Sequence, residues 1–414
     1  MRFSQYPIAD DIKKNLEMLD FKRPTDIQYK SIPSILRGED VLAIAQTGTG
    51  KTAAFAIPVI NIVEERKQKT RSKGIKCLVM VPTHELAQQV TGVFNQIGKN
   101  TGIKAYGLYG GVEQDPQIAK LDSGVDILIA TPGRLFDLRS QGHLLLDWVE
   151  ILILDEADHM LDLGFLKDIQ DLMYHLPKKR QTLFFSATIN SKIKKIAYSL
   201  VHKDAIRIQI SPDNPVAKNI NHSVAHVAMD DKRFFLERLI NEHPDTKILV
   251  FVRTKVRAER VYSAMKRVNL ETVTIHSDKD QNERNEAMTQ FRSGAVKVLI
   301  ATDITARGVD IPDVDYVVNY DLPDKAENYV HRIGRTGRGR NRGYAITFCS
   351  EEERPILLEI EIFLGHRIEE EQIDKSSYKE TLDSSLEDKH DIKKLMLEID
   401  EFEQRRKKKG KLKK

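Results

Sequence analysis

The sequence has little of what secreted, metal-binding or membrane proteins need. Only two of its 414 residues are cysteines, Cys77 and Cys349, and both stand in apolar, strand-like runs. Two cysteines cannot build a disulfide framework or a metal site by themselves, so buried thiols in a reducing compartment are expected. No apolar run approaches the ~20 residues of a membrane span, and the polar start of the chain is not a secretory signal. These absences predict a cytoplasmic protein without a membrane partner.

An excess of positive charge over the chain as a whole comes only from its end. The net charge is +4, and residues 405–414 contain eight basic side chains and no acidic one. Without that end the net charge is about −4, so any nucleic-acid site in the body must be local. The length of 414 residues, with 41% hydrophobic and 30% charged residues, predicts a soluble globular protein of two domains with extensions.

Residues 40–52 have the arrangement of a phosphate-binding loop. An apolar run ends in a glycine-containing loop, and a helix-like segment follows. Backbone N–H groups of such a loop converge on phosphate oxygens, with Lys51 on the β- and γ-phosphates and Thr52 on Mg²⁺. Ala45 stands where the strict pattern begins with glycine, and the alternative is an ordinary glycine-rich turn with a solvated lysine. The candidate loop residues are Ala45, Gln46, Thr47, Gly48, Thr49, Gly50, Lys51 and Thr52.

Short apolar segments alternate with longer amphipathic ones through most of the chain. This pattern predicts an α/β fold with parallel sheets covered on both faces, whose ligands bind at the carboxyl ends of the strands. The predicted strands are 41–45, 77–81, 126–130, 150–154 and 182–186, and then 248–252, 271–275, 296–301, 316–319 and 344–348.

An acidic cluster follows the predicted strand 150–154 directly. Asp155 is expected to hold Mg²⁺ opposite Thr52, and Glu156 to polarise the attacking water as general base. The alternative is an acidic first turn of the next helix. The cluster reads Asp-Glu-Ala-Asp, and with the phosphate loop upstream the chain resembles the DEAD-box ATP-dependent RNA helicases of superfamily 2, of a bacterial type, over residues 3–370.

This resemblance implies two RecA-like parallel-sheet domains in tandem with a cleft between them. The expected divisions are a Q-motif region at 1–29, an ATP-binding domain at 30–210, a linker at 211–218, a second helicase domain at 219–370, and a helical, basic and disordered tail at 371–414. The second half has no second phosphate loop, so only the first domain is expected to bind the triphosphate directly, with the second closing over it.

Upstream of the loop, the stretch 21–28 is similar to the family's Q motif. A glutamine amide both donates and accepts, which suits the adenine edge, so Gln28 implies ATP rather than GTP. Phe21 or Phe3 is implied to supply an aromatic surface near the base. Asp20 stands where the family usually has glycine.

The remaining motifs of the first half are implied to contact the RNA backbone or to couple hydrolysis to strand separation. His84 replaces the arginine of the family pattern; RNA affinity that depends on pH is one expectation, and a simply solvated histidine is the alternative. Asp158, Ser186 and Thr188 are the implied coupling residues. The implied RNA contacts are Pro82, Thr83, Gly110, Gly111, Thr131, Gly133 and Arg134.

In the second half, the run 331–338 carries the strongest match. Arg335 and Arg338, three residues apart, are expected to act as arginine fingers on the γ-phosphate, and His331 to touch the coupling residues. Ser277 occupies a position where the family normally has glycine. The other implied contacts are Arg253, Thr302 and Arg307 for RNA, and Gly308 and Asp310 for ATP.

The end of the chain has a pattern of its own. Residues 389–404 place Ile392, Leu395, Ile399 and Phe402 at spacings of 3, 4 and 3, which predicts an amphipathic helix with an unburied or weakly buried stripe. The basic end, 405–414, is expected to be disordered, and either to hold RNA phosphates or only to favour solubility.

Together these features predict a monomeric RNA-dependent ATPase that uses ATP and Mg²⁺. It is expected to unwind short RNA duplexes or remodel RNA–protein complexes by closing two domains on a strand, independently of base sequence. An ATP-gated RNA clamp or assembly factor is a second possibility. A small-molecule kinase or nucleotide switch is a third, and it leaves the arginine-rich run unexplained.

Overall fold

The computed structural model describes residues 1–45, 48–69, 74–188, 191–210, 216, 219–303, 311, 314–337 and 342–385. The strands of the first half are β1 Val41–Ala45, β2 Cys77–Met80, β3 Ala105–Leu108, β4 Ile127–Ala130, β5 Ile151–Leu154, β6 Gln181–Ser186 and β7 Ile206–Ile210. Its helices are α1 Asp10–Met18, α2 Asp26–Leu36, α3 Lys51–Lys69, α4 His84–Ile97, α5 Asp115–Asp122, α6 Pro132–Ser140, α7 Ala157–Asp162, α8 Leu166–His175 and α9 Ser191–Leu200.

The second half repeats the alternation. Its strands are β8 Ile220–His226, β9 Ile248–Val252, β10 Thr272–Ile275, β11 Val298–Thr302, β12 Tyr316–Asn319, β13 Gly343–Cys349 and β14 Glu369–Glu370. The helices described there are α10 Lys232–Glu242, α11 Lys255–Arg267, α12 Gln281–Ser293, α13 Ala326–Ile333, α14 Arg354–Leu364 and α15 Lys375–Asp383.

Each half contains one seven-stranded sheet in which all the described pairings are parallel. The strand orders are β3-β4-β2-β5-β6-β1-β7 and β10-β11-β9-β12-β13-β8-β14. The predicted α/β architecture is therefore confirmed. All ten predicted strands form, although β11 begins two residues later than expected. The central strands β1, β2, β4, β5, β6 and β9 are fully buried, because helices cover both faces of each sheet.

The strands that the sequence did not predict are β3, β7, β8 and β14. The first two are the edges of their sheet, where half-buried and exposed positions interrupt the apolar run. β8 contains Asn221, His222 and Ser223, and β14 has two glutamates only. A continuous apolar run marks a strand that is buried on both faces, so strands with exposed positions escape that rule, both at an edge and, for β8, next to one.

Both ends of the described chain pack onto the domains. Phe3, Ile12 and Ile27 belong to the core of the first domain, so residues 1–29 are part of that unit. At the other end α15 lies against α10, where the Tyr378 hydroxyl donates to Asp231 over 2.8 Å. Part of the segment predicted as a tail is thus a docked helix.

Both cysteines are buried free thiols, as expected. Burial raises the pKa of the Cys77 thiol, and it raises that of Cys349 to about 11. Among the described residues, no helix is long and apolar enough to cross a membrane.

Candidate functional site

The phosphate loop lies between β1 and α3 at the carboxyl edge of the first sheet. Gly48 and Gly50 have φ values of 80° and 88°, a backbone conformation that side chains with a Cβ rarely adopt. A Cβ on Gly50 would also lie 2.5 Å from Gln28 Nε2. Lys51 is buried and its Nζ donates to the Ala45 carbonyl over 2.7 Å. Gln46 and Thr47 lie outside the described residues.

The Gln28 side chain ties the Q motif to this loop. Its Nε2 donates to the Gly50 carbonyl over 3.1 Å, and its Oε1 accepts from the Thr25 amide over 2.9 Å. An amide group keeps one more N–H and one more lone pair after these bonds, which is what an adenine edge would need. Phe3 is buried and packs edge-on beneath the half-buried Phe21 with ring centroids 6.0 Å apart, so Phe21 is the more accessible ring.

The acidic cluster follows β5, two strands from the phosphate loop. Burial raises the pKa of Asp155 to about 7, although Lys51 opposes this effect. Glu156 has φ 49° and ψ 47°, a strained left-handed conformation for a glutamate, which is typical of functional sites. Burial also acts to raise the pKa of Glu156, but His159, Lys51 and Arg335 outweigh it and hold that pKa at about 2.

Oxygen ligands for a divalent cation are available here. Asp155 supplies a buried carboxylate and Thr52 a hydroxyl on the first turn of α3, and Mg²⁺ prefers such hard oxygen ligands. A buried carboxylate with a raised pKa gains most from a nearby cation, so these residues fit the ion.

The hydroxyls of Ser186 and Thr188, at the end of β6, hydrogen-bond to different partners. Thr188 Oγ1 donates to Asp158 over 3.1 Å, and the Ala187 amide lies 3.4 Å from the same carboxylate. Ser186 does not reach the acidic cluster; its hydroxyl donates to the Thr188 carbonyl over 2.8 Å. The expectation that both hydroxyls bond the cluster is therefore wrong for Ser186, because a sharp turn directs its side chain back onto the backbone.

The arginine-rich run spans the end of α13 and the following turn. Arg335 is buried and lies close enough to Glu156, across the cleft, to help lower the pKa of that carboxyl. His331 is half-buried on α13. The expected positions of Arg307, Gly308, Asp310 and Arg338 lie outside the described residues.

Sequence reasoning missed a buried ion pair that holds this run. Arg332 is 1% exposed and contacts both carboxylate oxygens of Asp303, over 2.6 Å and 2.7 Å. It also donates to the Asp321 carbonyl over 2.6 Å. The signal was present as an acid at the end of β11 and an arginine within the run, but nothing in the sequence alone pairs them.

The predicted RNA contacts of the first domain surround one edge of the cleft. Thr83 caps α4 by accepting from the Leu86 amide over 3.2 Å. Arg134 donates to Gln117 over 2.7 Å and to the Val112 carbonyl over 2.8 Å, so it supports the loop that carries Gly110 and Gly111. Pro82, Thr131 and Gly133 lie at the ends of β2 and β4 and the start of α6.

In the second domain, Arg253 is engaged in a charged network. Its guanidinium contacts Asp324 over 3.2 Å and Glu353 over 3.3 Å, and the side chain is 36% exposed. Glu353 also contacts the fully buried Lys232, whose Nζ donates to the Tyr320 carbonyl over 2.8 Å. Thr302 is buried at the end of β11.

Besides the approach of Arg335 to Glu156, several contacts between described residues join the domains across the cleft. Glu85 at the start of α4 contacts Arg284 on α12 over 3.0 Å, and Asp162 contacts Lys325 over 2.6 Å. His84 is buried, stacks on Tyr109 with ring centroids 3.8 Å apart, and lies next to Gln281 of the second domain. The alternative of a solvated histidine is therefore wrong. Burial lowers its pKa, which moves any titration below the range expected from the sequence.

Two other departures from the family pattern have structural outcomes. Asp20 adopts φ 59°, the left-handed conformation that a glycine would provide, and its carboxylate contacts Lys22 over 2.8 Å. Ser277 is exposed and keeps its backbone outside the left-handed region. Neither position therefore needs glycine to form its turn.

Comparisons with known proteins agree with this geometry. The family model described as DEAD/DEAH box helicase matches residues 25–196, and that of the helicase conserved C-terminal domain matches residues 231–340. A protein named ATP-dependent RNA helicase RhlB from Shewanella frigidimarina is 39% identical over 383 residues, 91% of this chain and 87% of that protein. Its namesake from Shewanella amazonensis is 38% identical over 374 residues, 89% of this chain and 84% of that protein.

Solved structures extend the likeness to the arrangement of both domains. The structure of S. cerevisiae Dbp5 bound to RNA and ADP BeF3 has a TM-score of 0.80 at 29% identity, covering 92% of this chain and 99% of that one. The structure of the DEAD-box helicase Mss116 bound to ssRNA and UDP-BeF has a TM-score of 0.81 at 27% identity, covering 95% of this chain and 84% of that one. The expected tandem RecA-like fold is confirmed, and the chain belongs to the DEAD/DEAH box helicase family.

Proposed function

We propose that this protein is an RNA-dependent ATPase that opens short RNA duplexes, or remodels RNA–protein complexes, by closing its two domains on an RNA strand. The observation that carries the proposal is the contact between Glu85 and Arg284, because it joins an RNA motif of the first domain to the second domain. The RNA-bound and nucleotide-bound neighbours, and the relatives named ATP-dependent RNA helicase, support ATP and RNA as the ligands.

ATP binds to the first domain, and residues of the second domain complete the site. Gln28 and Phe21 hold the adenine, and residues 45–52 hold the phosphates. Thr52 and Asp155 would hold Mg²⁺, which would supply positive charge against the phosphates. Glu156 keeps its carboxylate ionised, because His159, Lys51 and Arg335 lower its pKa, and it polarises the attacking water as general base by accepting a hydrogen bond from it.

Closure completes the catalytic site. Arg335, already close to Glu156, supplies positive charge from the second domain, with Arg338 as its expected partner. Arg332 and Asp303 fix the backbone that carries Arg335. RNA lies across Thr83, Gly110, Gly111, Thr131, Gly133 and Arg134 of the first domain and across Arg253, Thr302 and Arg307 of the second. These contacts are to phosphates and 2′-hydroxyls, so base sequence matters little.

Strand displacement tests this proposal. A short duplex with one labelled RNA strand is incubated with protein and ATP, and release of the strand is followed on a native gel. Wild-type protein should release the strand, and Glu156→Gln should bind ATP and RNA normally without releasing it in multiple turnovers. If the wild type hydrolyses ATP and holds RNA but displaces no strand, the protein is an ATP-gated clamp and the unwinding proposal is wrong.

A further inference from the structure

The second domain has a pocket at the amino ends of its strands, which we call the amino-end pocket. It encloses about 530 Å³ and is lined by the first residues of β8, β12 and β13 and by the segment that follows α14 and includes β14. Arg253 and Thr302, assigned above to RNA, lie at the carboxyl ends of β9 and β11. The amino-end pocket is therefore separate from the ATP and RNA residues, and its volume suits a small ligand.

Two tyrosines form an aromatic surface in the amino-end pocket. Tyr316 and Tyr344 are neighbours in the register of β12 and β13, and their rings are nearly parallel, at 20°, with centroids 6.0 Å apart. Tyr316 is half-buried, with the His243 ring 5.5 Å away, whereas Tyr344 is 45% exposed. Aromatic side chains on an open sheet face are the surface on which unpaired nucleobases stack, and Tyr344 is the accessible ring.

The sheet beside the tyrosines is polar. Asn221 of β8 pairs in register with Tyr344, and Ser223 pairs with Glu369 of β14. Residues paired in a parallel sheet share a face, as do residues two apart on one strand, so these polar side chains lie on the same face as the ring. Tyr344 and Glu369 are two strands apart, roughly 10 Å, which leaves room for a base between them.

The charges of the amino-end pocket are separated along the segment that follows α14. His366 and Arg367 come first, and Glu369 and Glu371 follow; all four are exposed and line the pocket. Burial raises the pKa of Tyr316 and Glu371 adds to this effect, so that carboxylate lies near the aromatic surface. A ligand that fits needs an anionic end for Arg367 and hydrogen-bond donors, next to a stacked ring, for Glu371.

A guanine nucleotide meets these requirements best. The pairing edge of guanine presents two adjacent donors, N1–H and N2–H, and the two oxygens of a carboxylate accept both. The same edges of adenine, cytosine and uracil each place an acceptor beside the donor, which a carboxylate repels. We propose that the amino-end pocket binds a guanosine 5′-monophosphate group, with the base on Tyr344 and against Glu371 and the phosphate on Arg367. Its source is a free nucleotide or the unpaired end of an RNA strand.

Isothermal titration of the full-length protein with guanosine 5′-monophosphate tests this inference, which does not depend on the proposed function. ADP is kept saturating, so that the ATP site is occupied. The wild type should bind one nucleotide per chain. Tyr344→Ala should bind it about 10-fold more weakly because the stacking surface is lost, and Tyr344→Phe, which keeps the ring, should bind as the wild type does. Tyr198→Ala is the matched control, since Tyr198 is 40% exposed in the first domain.

Two further variants test the two ends of the ligand. Arg367→Gln should weaken guanosine 5′-monophosphate about 10-fold and leave guanosine, which has no phosphate, unchanged. Glu371→Gln should remove the preference for guanosine 5′-monophosphate over adenosine 5′-monophosphate. Displacement of the bound nucleotide by a short RNA with an unpaired terminal guanosine would identify RNA as the source, and no displacement would identify the free nucleotide. Absence of binding to the wild type, or equal binding by Tyr344→Ala, would overturn the proposal.

Discussion

Glu85 of the first domain and Arg284 of the second lie 3.0 Å apart across the cleft. Both side chains are largely shielded from solvent. Glu85 lies in the first turn of α4, which follows β2, and Arg284 lies in the first turn of α12, which follows β10. This pair reports directly on closure, because its two charges meet only when the domains do.

Removing either charge should therefore weaken closure. Glu85→Gln and Arg284→Gln should each lower RNA-stimulated ATP hydrolysis by about 5-fold, equivalent to about 1 kcal/mol of coupling, and the double variant should be little worse than either one. Steady-state kinetics over a range of RNA concentrations measures this, with the exposed Glu113→Gln as control. Additive losses would show that the two residues act independently.

His84 should make closure sensitive to acid. Its pKa is lowered in this structure, mainly by burial, and we expect withdrawal of the second domain to reduce that burial, so that the open form binds more protons than the closed one. The contribution of neutral His84 to the stability of the closed form is complete above about pH 6.5, and it is lost as the pH falls through the lowered pKa. Glu85 of the same helix and Gln281 of the second domain oppose the shift, and Arg284 adds to it. Fluorescence energy transfer between the domains should fall from pH 7.5 to 5.5 in the wild type.

The matched variants separate His84 from other titrating groups. His84→Gln should flatten this pH response, whereas His143→Gln, which removes an exposed histidine of the same domain, should preserve it. An unchanged response in His84→Gln would exclude this residue as its source.

Gln28 should matter for the shape of the loop as well as for nucleotide choice. Gln28→Ala removes bonds to Thr25 and Gly50 and should cost about 1–2 kcal/mol. ATP affinity should fall about 10-fold, and discrimination against GTP should fall with it. Isothermal titration with both nucleotides measures this, with the exposed Gln89→Ala as control. An equal loss for ATP and GTP would mean that Gln28 supports the loop without recognising the base.

The buried Lys232–Glu353 pair should dominate the stability of the second domain. Lys232→Met leaves a buried carboxylate with only Arg253 and backbone amides as partners, and should destabilise the domain by about 3 kcal/mol. Denaturant unfolding measures this, and Glu352→Gln on the exposed neighbouring side chain should have little effect. The double variant Lys232→Met with Glu353→Gln should lose less stability, because it leaves no buried charge without a partner.

The sequence was sufficient for the central strands and for the residues at their carboxyl ends. Fully buried strands such as β1 and β5 are continuous apolar runs, and the loop glycines and the acidic cluster follow them directly. Exposed or half-buried positions break the apolar run in β3, β7, β8 and β14, and these strands were therefore missed. Contacts between distant residues, such as Arg332 with Asp303, were missed because local patterns carry no information on which partner a side chain meets.

His84 illustrates the same limit. Its neighbours in sequence suggested a surface contact, whereas stacking on Tyr109, a residue 25 positions away, buries the ring. Only the packed structure sets the direction of its pKa shift.

The most direct test is steady-state ATP hydrolysis by the purified protein, alone, with single-stranded RNA, and with DNA of the same sequence, with GTP in parallel. Strong stimulation by RNA, for ATP and not for GTP, is predicted, because RNA brings Arg335 to the nucleotide held by Gln28 and Lys51. Equal turnover with and without RNA would contradict the account, since closure would then not depend on RNA and a nucleotide switch would fit better.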